Sequence, residues 1–176
     1  MKNFVTSDQH FGHHNVLKYC NRPFEKVSIM NKEMTRIWNS IVTDADHVYV
    51  VGDFSLDRHP ETIKSYLNKL KGSKHLILGN HDLLKPFDYV DCGFVSVHTA
   101  LKIGKYTLVH DPSAAVTLSS GDTLIHGHVH TLWKDKMADN GVRLINAGVD
   151  VWDFKPVDIE VLWKIYLSKE RIVNVN

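Results

Sequence analysis

Two cysteines, Cys20 and Cys92, are all that this chain of 176 residues has, and no C-x-x-C spacing joins them. That excludes a disulfide framework and a thiolate zinc site, and it fits a reducing cytoplasm. No apolar run approaches the roughly 18 residues that a membrane span needs. The segment Met1–Asp8 has no apolar stretch of the kind that directs export. The expectation is therefore a cytoplasmic protein without a membrane partner. A large charge of one sign is also lacking: the formal net charge is +1. No global field draws the chain to a polyanion, so any such preference has to come from local groups. Repeats, low-complexity tracts and linkers are absent. With 43% hydrophobic residues over 176 positions, one core and a single domain spanning 1–176 are expected.

What the chain does have is histidine, 12 of them, several in clusters at the ends of β-rich runs. Phe4-Val5 reads as a short buried strand that breaks at Ser7-Asp8 and delivers Asp8-Gln9-His10. Val48–Val51 ends at Gly52-Asp53, and Lys74–Leu78 ends at Gly79-Asn80-His81-Asp82. Between them, Met30, Met34, Ile37, Trp38 and Ile41 form a helical stripe capped by Ser28, while Ile63, Leu67 and Leu70 follow Pro60 and stop at Gly72. A shorter helix is expected over 14–20. Strand and helix alternate, the pattern that builds a parallel sheet by right-handed crossovers.

After Asp82 helix signals vanish. Phe94–Val97, Thr99–Ile103, Tyr106–Val109, Thr123–Ile125 and Val142–Ile145 read as strands, with Gly104-Lys105 turning a hairpin. Asp158 caps a last helix through Ile159, Leu162, Trp163, Tyr166 and Leu167. The fold class expected is α/β, in a four-layer α+β arrangement: two mixed sheets face to face, flanked by helices.

The strand ends share one chemistry. Asp8 and His10, Asp53, Asn80 with His81 and Asp82, His110, and His128 with His130 all follow β-rich runs. Asp8 and His10 are two apart, as are His128 and His130, so in extended backbone each pair faces one side. Carboxylate, imidazole and amide oxygen without thiolate suit divalent ions such as Mn²⁺, Fe²⁺, Zn²⁺ or Ni²⁺. Two carboxylates, one amide and four histidines exceed one tetrahedral ion and match two ions about 3.5–4 Å apart that share a carboxylate, the clamp used for in-line phosphoryl displacement.

Asp8-x-His10, Gly52-Asp53, Gly79-Asn80-His81-Asp82, His110 and Gly127-His128-x-His130 stand in an order and spacing that resembles the calcineurin-like metallophosphoesterase superfamily, over residues 6–130. The resemblance implies a metallo-dependent phosphatase-like fold and hydrolysis of phosphoesters by a metal-bound hydroxide. Asp8, His10 and His130 would hold one ion, Asn80, His110 and His128 the other, with Asp53 bridging. His81 would stabilise the transition state or protonate the leaving oxygen, and Asp82 would aim its ring. Val109 stands where the family often has glycine. Asn21-Arg22-Pro23-Phe24 is similar to small phosphoesterases of bacteria and their phages.

A chain this small has little room for a capping domain, so an open site acting on nucleotides, cyclic nucleotides or nucleic-acid ends is expected. Arg22, His13, His14 and Trp133 are candidate substrate residues. A cation could take a second phosphate and an indole could stack a base. Asp150 and Trp152 would border the site. His126 is expected to pack on the far side of its strand, and His47, His59, His75 and His98 carry no partner pattern. The rival reading is a catalytically silent metal-binding scaffold of the same fold, which usually lacks ligands; here none is missing.

Overall fold

Alternating side chains divide each sheet between two cores. The computed structural model describes residues 1–162. The first sheet contains β1 (Asn3–Thr6), β2 (His47–Val50), β3 (Ser73–Ile77) and β4 (Ser96–His98), all parallel, with β10 (Val157–Asp158) antiparallel to β1. The second is ordered β5 (Leu101–Ile103), β6 (Tyr106–Leu108), β7 (Thr123–His126), β9 (Arg143–Asn146) and β8 (Asp135–Met137). Its central strands β6, β7 and β9 are parallel and its edges antiparallel. The hairpin expected at Gly104-Lys105 joins β5 to β6. These are two mixed five-stranded sheets of an α/β protein.

Val5, Val51, Ile77, Leu108, Ile125 and Ile145 point into the space between the sheets. Their neighbours Phe4, Val48, Val50 and Leu76 point the other way, under the helices. There the stripe of α2 (Val27–Ile41) buries Met30, Met34 and Trp38, and α3 (Pro60–Leu67) buries Ile63 and Leu67. Each such side chain removed from water contributes about 1.5–3 kcal/mol.

Three expectations are corrected. Lys26 rather than Ser28 precedes the first turn of α2, with no side-chain cap. A helix, α4 (Pro86–Cys92), occupies part of the stretch that lacked helix signals, started by Pro86 and by the Asp88 carboxylate returning to the Lys85 amide. The strand expected over 94–97 begins at Ser96, although Phe94 is buried. Helices α1 (Val16–Tyr19), α2, α3 and α4 pack on the first sheet; among the described residues the outer face of the second is covered by a 3₁₀ turn, Pro112–Thr117, and by Trp133. The helix that Asp158 opens starts at 159, where Asp158 Oδ1 accepts the Glu160 amide at 3.0 Å. Trp163, Tyr166 and Leu167 lie outside the described residues.

Because β1, β2, β3, β6 and β7 run parallel within their sheets, their C-terminal loops gather at one end, where ligands of α/β sheets bind. A bridge between Ser7 and Gly148 ties that end of the two sheets together, while the Ser7 hydroxyl donates to the Val51 carbonyl at 2.6 Å within the first sheet.

Candidate metal centre

Asp8, His10, Asp53, His128 and His130 all adopt the left-handed backbone region, with φ of 59°, 53°, 55°, 74° and 47°. Few non-glycine residues do so, at about 1–3 kcal/mol each, and where they persist the surrounding structure holds them. This corrects the extended reading of the two x-separated pairs: each pair shares a side because both members sit in tight left-handed bends. The bends are fixed by backbone bonds, Asp8 N–H to Gly52 O and His10 N–H to Asp53 O, both at 3.0 Å.

Two glycines clear the space. A Cβ on Gly79 would strike the Asp53 carboxylate, and one on Gly127 would strike the Ser7 hydroxyl and come within 2.6 Å of Asp8 Oδ2.

The donors converge in two groups. Asp8, His10 and His130 place one ligand atom each within 4.8 Å of one another, as do Asp8, Asp53 and His110. Asp53 Oδ2 lies between them, 3.6 Å from His10 Nε2 and 3.4 Å from His110 Nε2. Asn80 Oδ1 meets His110 Nε2 at 3.1 Å and His128 Nδ1 at 2.9 Å. His10 is 2% exposed, yet neither ring nitrogen has a hydrogen-bond partner. Buried polar atoms left unpaired cost about 1–3 kcal/mol each, so this ring fits a site completed by a cation. The remaining ring nitrogens are fixed from behind. His110 Nδ1 donates to the Val51 carbonyl at 2.8 Å, and His130 Nδ1 donates to Asp150 Oδ2 at 2.9 Å, which leaves Nε2 of each facing inward.

The charges of the metal-free cluster follow from these contacts. Burial works against ionisation of Asp53, but the hydrogen bond and charge of His110 bring its pKa down to about 2. Burial would lower that of His110, yet Asp53 raises it to about 9. His130 is likewise raised to about 10 against its burial, chiefly by Asp150. Desolvation dominates at His10 and lowers it to about 3. Asp8 is raised by burial. A divalent cation would take the place of the protons on His110 and His130.

His81 is half-buried at the edge of the cluster, its ring 5.5 Å from that of His10, and its amide donates to Asp53 Oδ1 at 2.9 Å. Asp82 does not aim that ring. Its carboxylate accepts the amides of Asp53 at 2.8 Å, Gly79 at 2.9 Å and Phe54 at 3.1 Å, and so pins the loop after β3 to the loop after β2.

Arg22 does not face a substrate either. Its side chain is 0% exposed and forks onto Asp150 at 2.8 and 3.0 Å, while it also donates to the carbonyls of Gln9 at 2.8 Å and Asp8 at 2.7 Å. Arg22, Asp150 and His130 form one buried relay. Asp150 carried a sequence signal, a carboxylate past a strand end like the others; that Arg22 faces it carried none.

Trp133 packs on His126 at 4.6 Å within the core outside the second sheet, and His14 points into solvent. His126 is buried there as expected, with Nδ1 donating to Gly127 O at 2.7 Å. His13 lines a cleft beside His10, and its Nδ1 is buried without a partner. Away from the site, His47, His75 and His98 are not isolated: His47 Nδ1 meets His75 Nε2 at 3.0 Å, and both His75 and His98 reach Ser96 Oγ at 2.8 Å.

Two mixed sheets with carboxylate, amide and imidazole donors gathered at their shared end define a class, and residues 1–158 match the model of the calcineurin-like phosphoesterase superfamily domain: the chain belongs to that superfamily. Metal-dependent phosphoester hydrolysis is the general chemistry of this class. An uncharacterized protein of Methanocaldococcus jannaschii is 34% identical over 176 residues, covering 98% of this chain and 94% of that protein. The Gene 66 protein of Mycobacterium phage L5 is 25% identical, covering 85% and 86%. Among solved structures, a protein of unknown function from Aquifex aeolicus shares the fold, with a TM-score of 0.71 and 24% identity over 93% of this chain and 98% of that one. Among the described residues no helix is long and apolar enough to cross a membrane.

Proposed function

We propose that the protein is a dinuclear phosphoesterase that acts on phosphodiesters or monoesters of nucleotides, cyclic nucleotides or nucleic-acid ends. The observation that carries this is the Asp53 carboxylate set between two donor groups, beside a buried His10 whose two nitrogens have no partner. Asp8, His10 and His130 would hold one cation and Asn80, His110 and His128 the other, with Asp53 shared. Divalent ions held there supply Lewis-acid charge and lower the pKa of a coordinated water. Mn²⁺ suits these donors best; Fe²⁺, Zn²⁺ and Ni²⁺ suit them as well.

The chain's own residues do the rest. Asp150 and the Val51 carbonyl hold the protons on Nδ1 of His130 and His110, and so keep both Nε2 atoms available. Asp82 fixes the loop that carries Asn80 and His81. His81, with no side-chain partner among the described residues, is free to meet a phosphoryl oxygen or to protonate the departing one.

The test is hydrolysis of bis(p-nitrophenyl) phosphate and p-nitrophenyl phosphate with added Mn²⁺. Turnover well above a chelated control is expected for at least one; none for either refutes the reading. Asp53→Asn should lower metal content and rate together, whereas His81→Ala should keep the metals and lose rate by about 10²–10⁴-fold. Equal metal loss in both variants would remove His81 from its role.

A further inference from the structure

The donor cluster opens on a cleft of about 610 Å³ whose lining is of two kinds. Imidazoles, including those of His10, His81 and His130, make up one; Val16 and Tyr19 of α1 with Val129 and Leu132 of the loop after β7 make up most of the other. Tyr19 is 76% exposed and Leu132 is 77% exposed. Large apolar side chains held in water at the rim of a polar site gain little for the fold. They gain when a ligand covers them. The ring of Tyr19 is not wholly free to swing, because it stands edge-on to the His13 ring at 6.4 Å.

Among the described residues, no lysine, arginine, aspartate or glutamate lines this cleft. The nearby guanidinium, that of Arg22, is buried and fully engaged with Asp150 and two carbonyls. A second or third phosphate group would enter without a cation to pair it, whereas a flat ring would bury area against the Tyr19 ring and the Leu132 side chain.

We propose that the cleft seats an aromatic ring carried on the substrate's ester, so that the enzyme selects singly phosphorylated aryl or nucleoside esters over polyphosphates and small alkyl esters. This inference rests on the phosphoesterase reading above. Tyr19 and Leu132 are its specificity-determining residues; neither is needed for the reaction at phosphorus.

Two diesters with the same leaving group, only one of which carries a ring, test it: benzyl 2,2,2-trifluoroethyl phosphate and methyl 2,2,2-trifluoroethyl phosphate, hydrolysed by the Mn²⁺-loaded full chain and followed by release of trifluoroethanol. The benzyl ester should have the higher kcat/KM by about tenfold, mostly through KM. In Tyr19→Ala/Leu132→Ala that ratio should collapse to within about twofold, with metal content and circular dichroism matching the native protein. A native ratio near one, or a ratio that survives the double substitution, overturns the proposal. Calorimetry with phenylphosphonate and methylphosphonate, which have no ester bond to hydrolyse, reads the same preference without turnover. Ring-selective binding without hydrolysis of either diester, of bis(p-nitrophenyl) phosphate or of p-nitrophenyl phosphate refutes the phosphoesterase reading and keeps the cleft. Hydrolysis of both diesters without ring preference does the reverse, and neither binding preference nor hydrolysis refutes both.

Discussion

Replacing Arg22 with methionine removes a guanidinium that is 0% exposed and five hydrogen bonds: two to Asp150 at 2.8 and 3.0 Å, one to Gln9 O at 2.8 Å, one to Asp8 O at 2.7 Å and a weak one to Met30 Sδ at 3.4 Å. Methionine fills much of the same volume, so the loss is mainly electrostatic. Asp150, with a side chain 2% exposed, then keeps only His130 as a charged partner. Breaking one side of a buried ion pair costs about 3–5 kcal/mol, because the other charge stays buried without compensation. At about 2–4 °C per kcal/mol for a chain of this size, the melting temperature should fall by roughly 6–20 °C. Differential scanning calorimetry of the metal-free protein reads this directly. Arg22→Met/Asp150→Leu removes both charges and should recover part of the loss, giving a coupling energy of about 1–3 kcal/mol. A single variant that melts within about 2 °C of the native protein while losing catalysis would refute the structural role and return Arg22 to the substrate.

Three further outcomes are expected. The stability of the chelator-treated protein should fall between pH 7 and 10, because His110 is raised from an ordinary 6.5 to about 9 by Asp53. Its contribution of about 3 kcal/mol is complete below pH 6.5 and is lost as pH rises through 9. His130, raised to about 10, acts in the same direction. Metal affinity should rise over the same range, since the cation displaces those protons; a metal-free melting temperature that climbs from pH 7 to 10 contradicts the ion pairing. Gly79→Ala should destabilise by about 1–3 kcal/mol and lower metal content, because its Cβ meets Asp53 at both carboxylate and amide; elemental analysis matching the native protein would contradict that crowding. Asp82→Ala should cost about 3 kcal/mol for three amide bonds and weaken metal retention, measurable by denaturant unfolding and by chelator competition. Loss of rate at full metal content and native stability would instead favour Asp82 as the orienter of His81.

Legibility followed locality. Strand β3 could be read because an apolar run, Leu76-Ile77-Leu78, stops at a glycine, and the same pattern of β-rich residues ending in carboxylate, imidazole or amide located the loops around Asp8, Asp53, Asn80 and His128. Helix α4 could not, because only Tyr89 and Cys92 of it are buried, too few to draw a helical stripe. Strand β8 is an edge of Asp135, Lys136 and Met137, with no apolar alternation to read. Arg22 was misjudged for a different reason: an arginine in a polar turn has the composition of a phosphate-binding group, and its burial depends on a carboxylate 128 positions later. The left-handed bends at Asp8 and His128 were equally hidden, because neither residue type demands that conformation; the crossing backbones impose it.

The buried relay also fixes an order of events in time. Asp8 receives the His128 amide from 120 residues downstream, and Arg22 waits for Asp150, 128 residues later. Synthesis proceeds from the N-terminus, so the first sheet's three loops are made long before their partners: a nascent chain that ends short of residue 110 holds four of the seven donors, and one that ends short of residue 150 leaves the Arg22 guanidinium without its carboxylate. Contacts this distant in sequence form slowly, because long loops must close before they are rewarded. The complete donor set exists only once the second sheet has docked onto the first, so under the proposed reading metal uptake would report that docking.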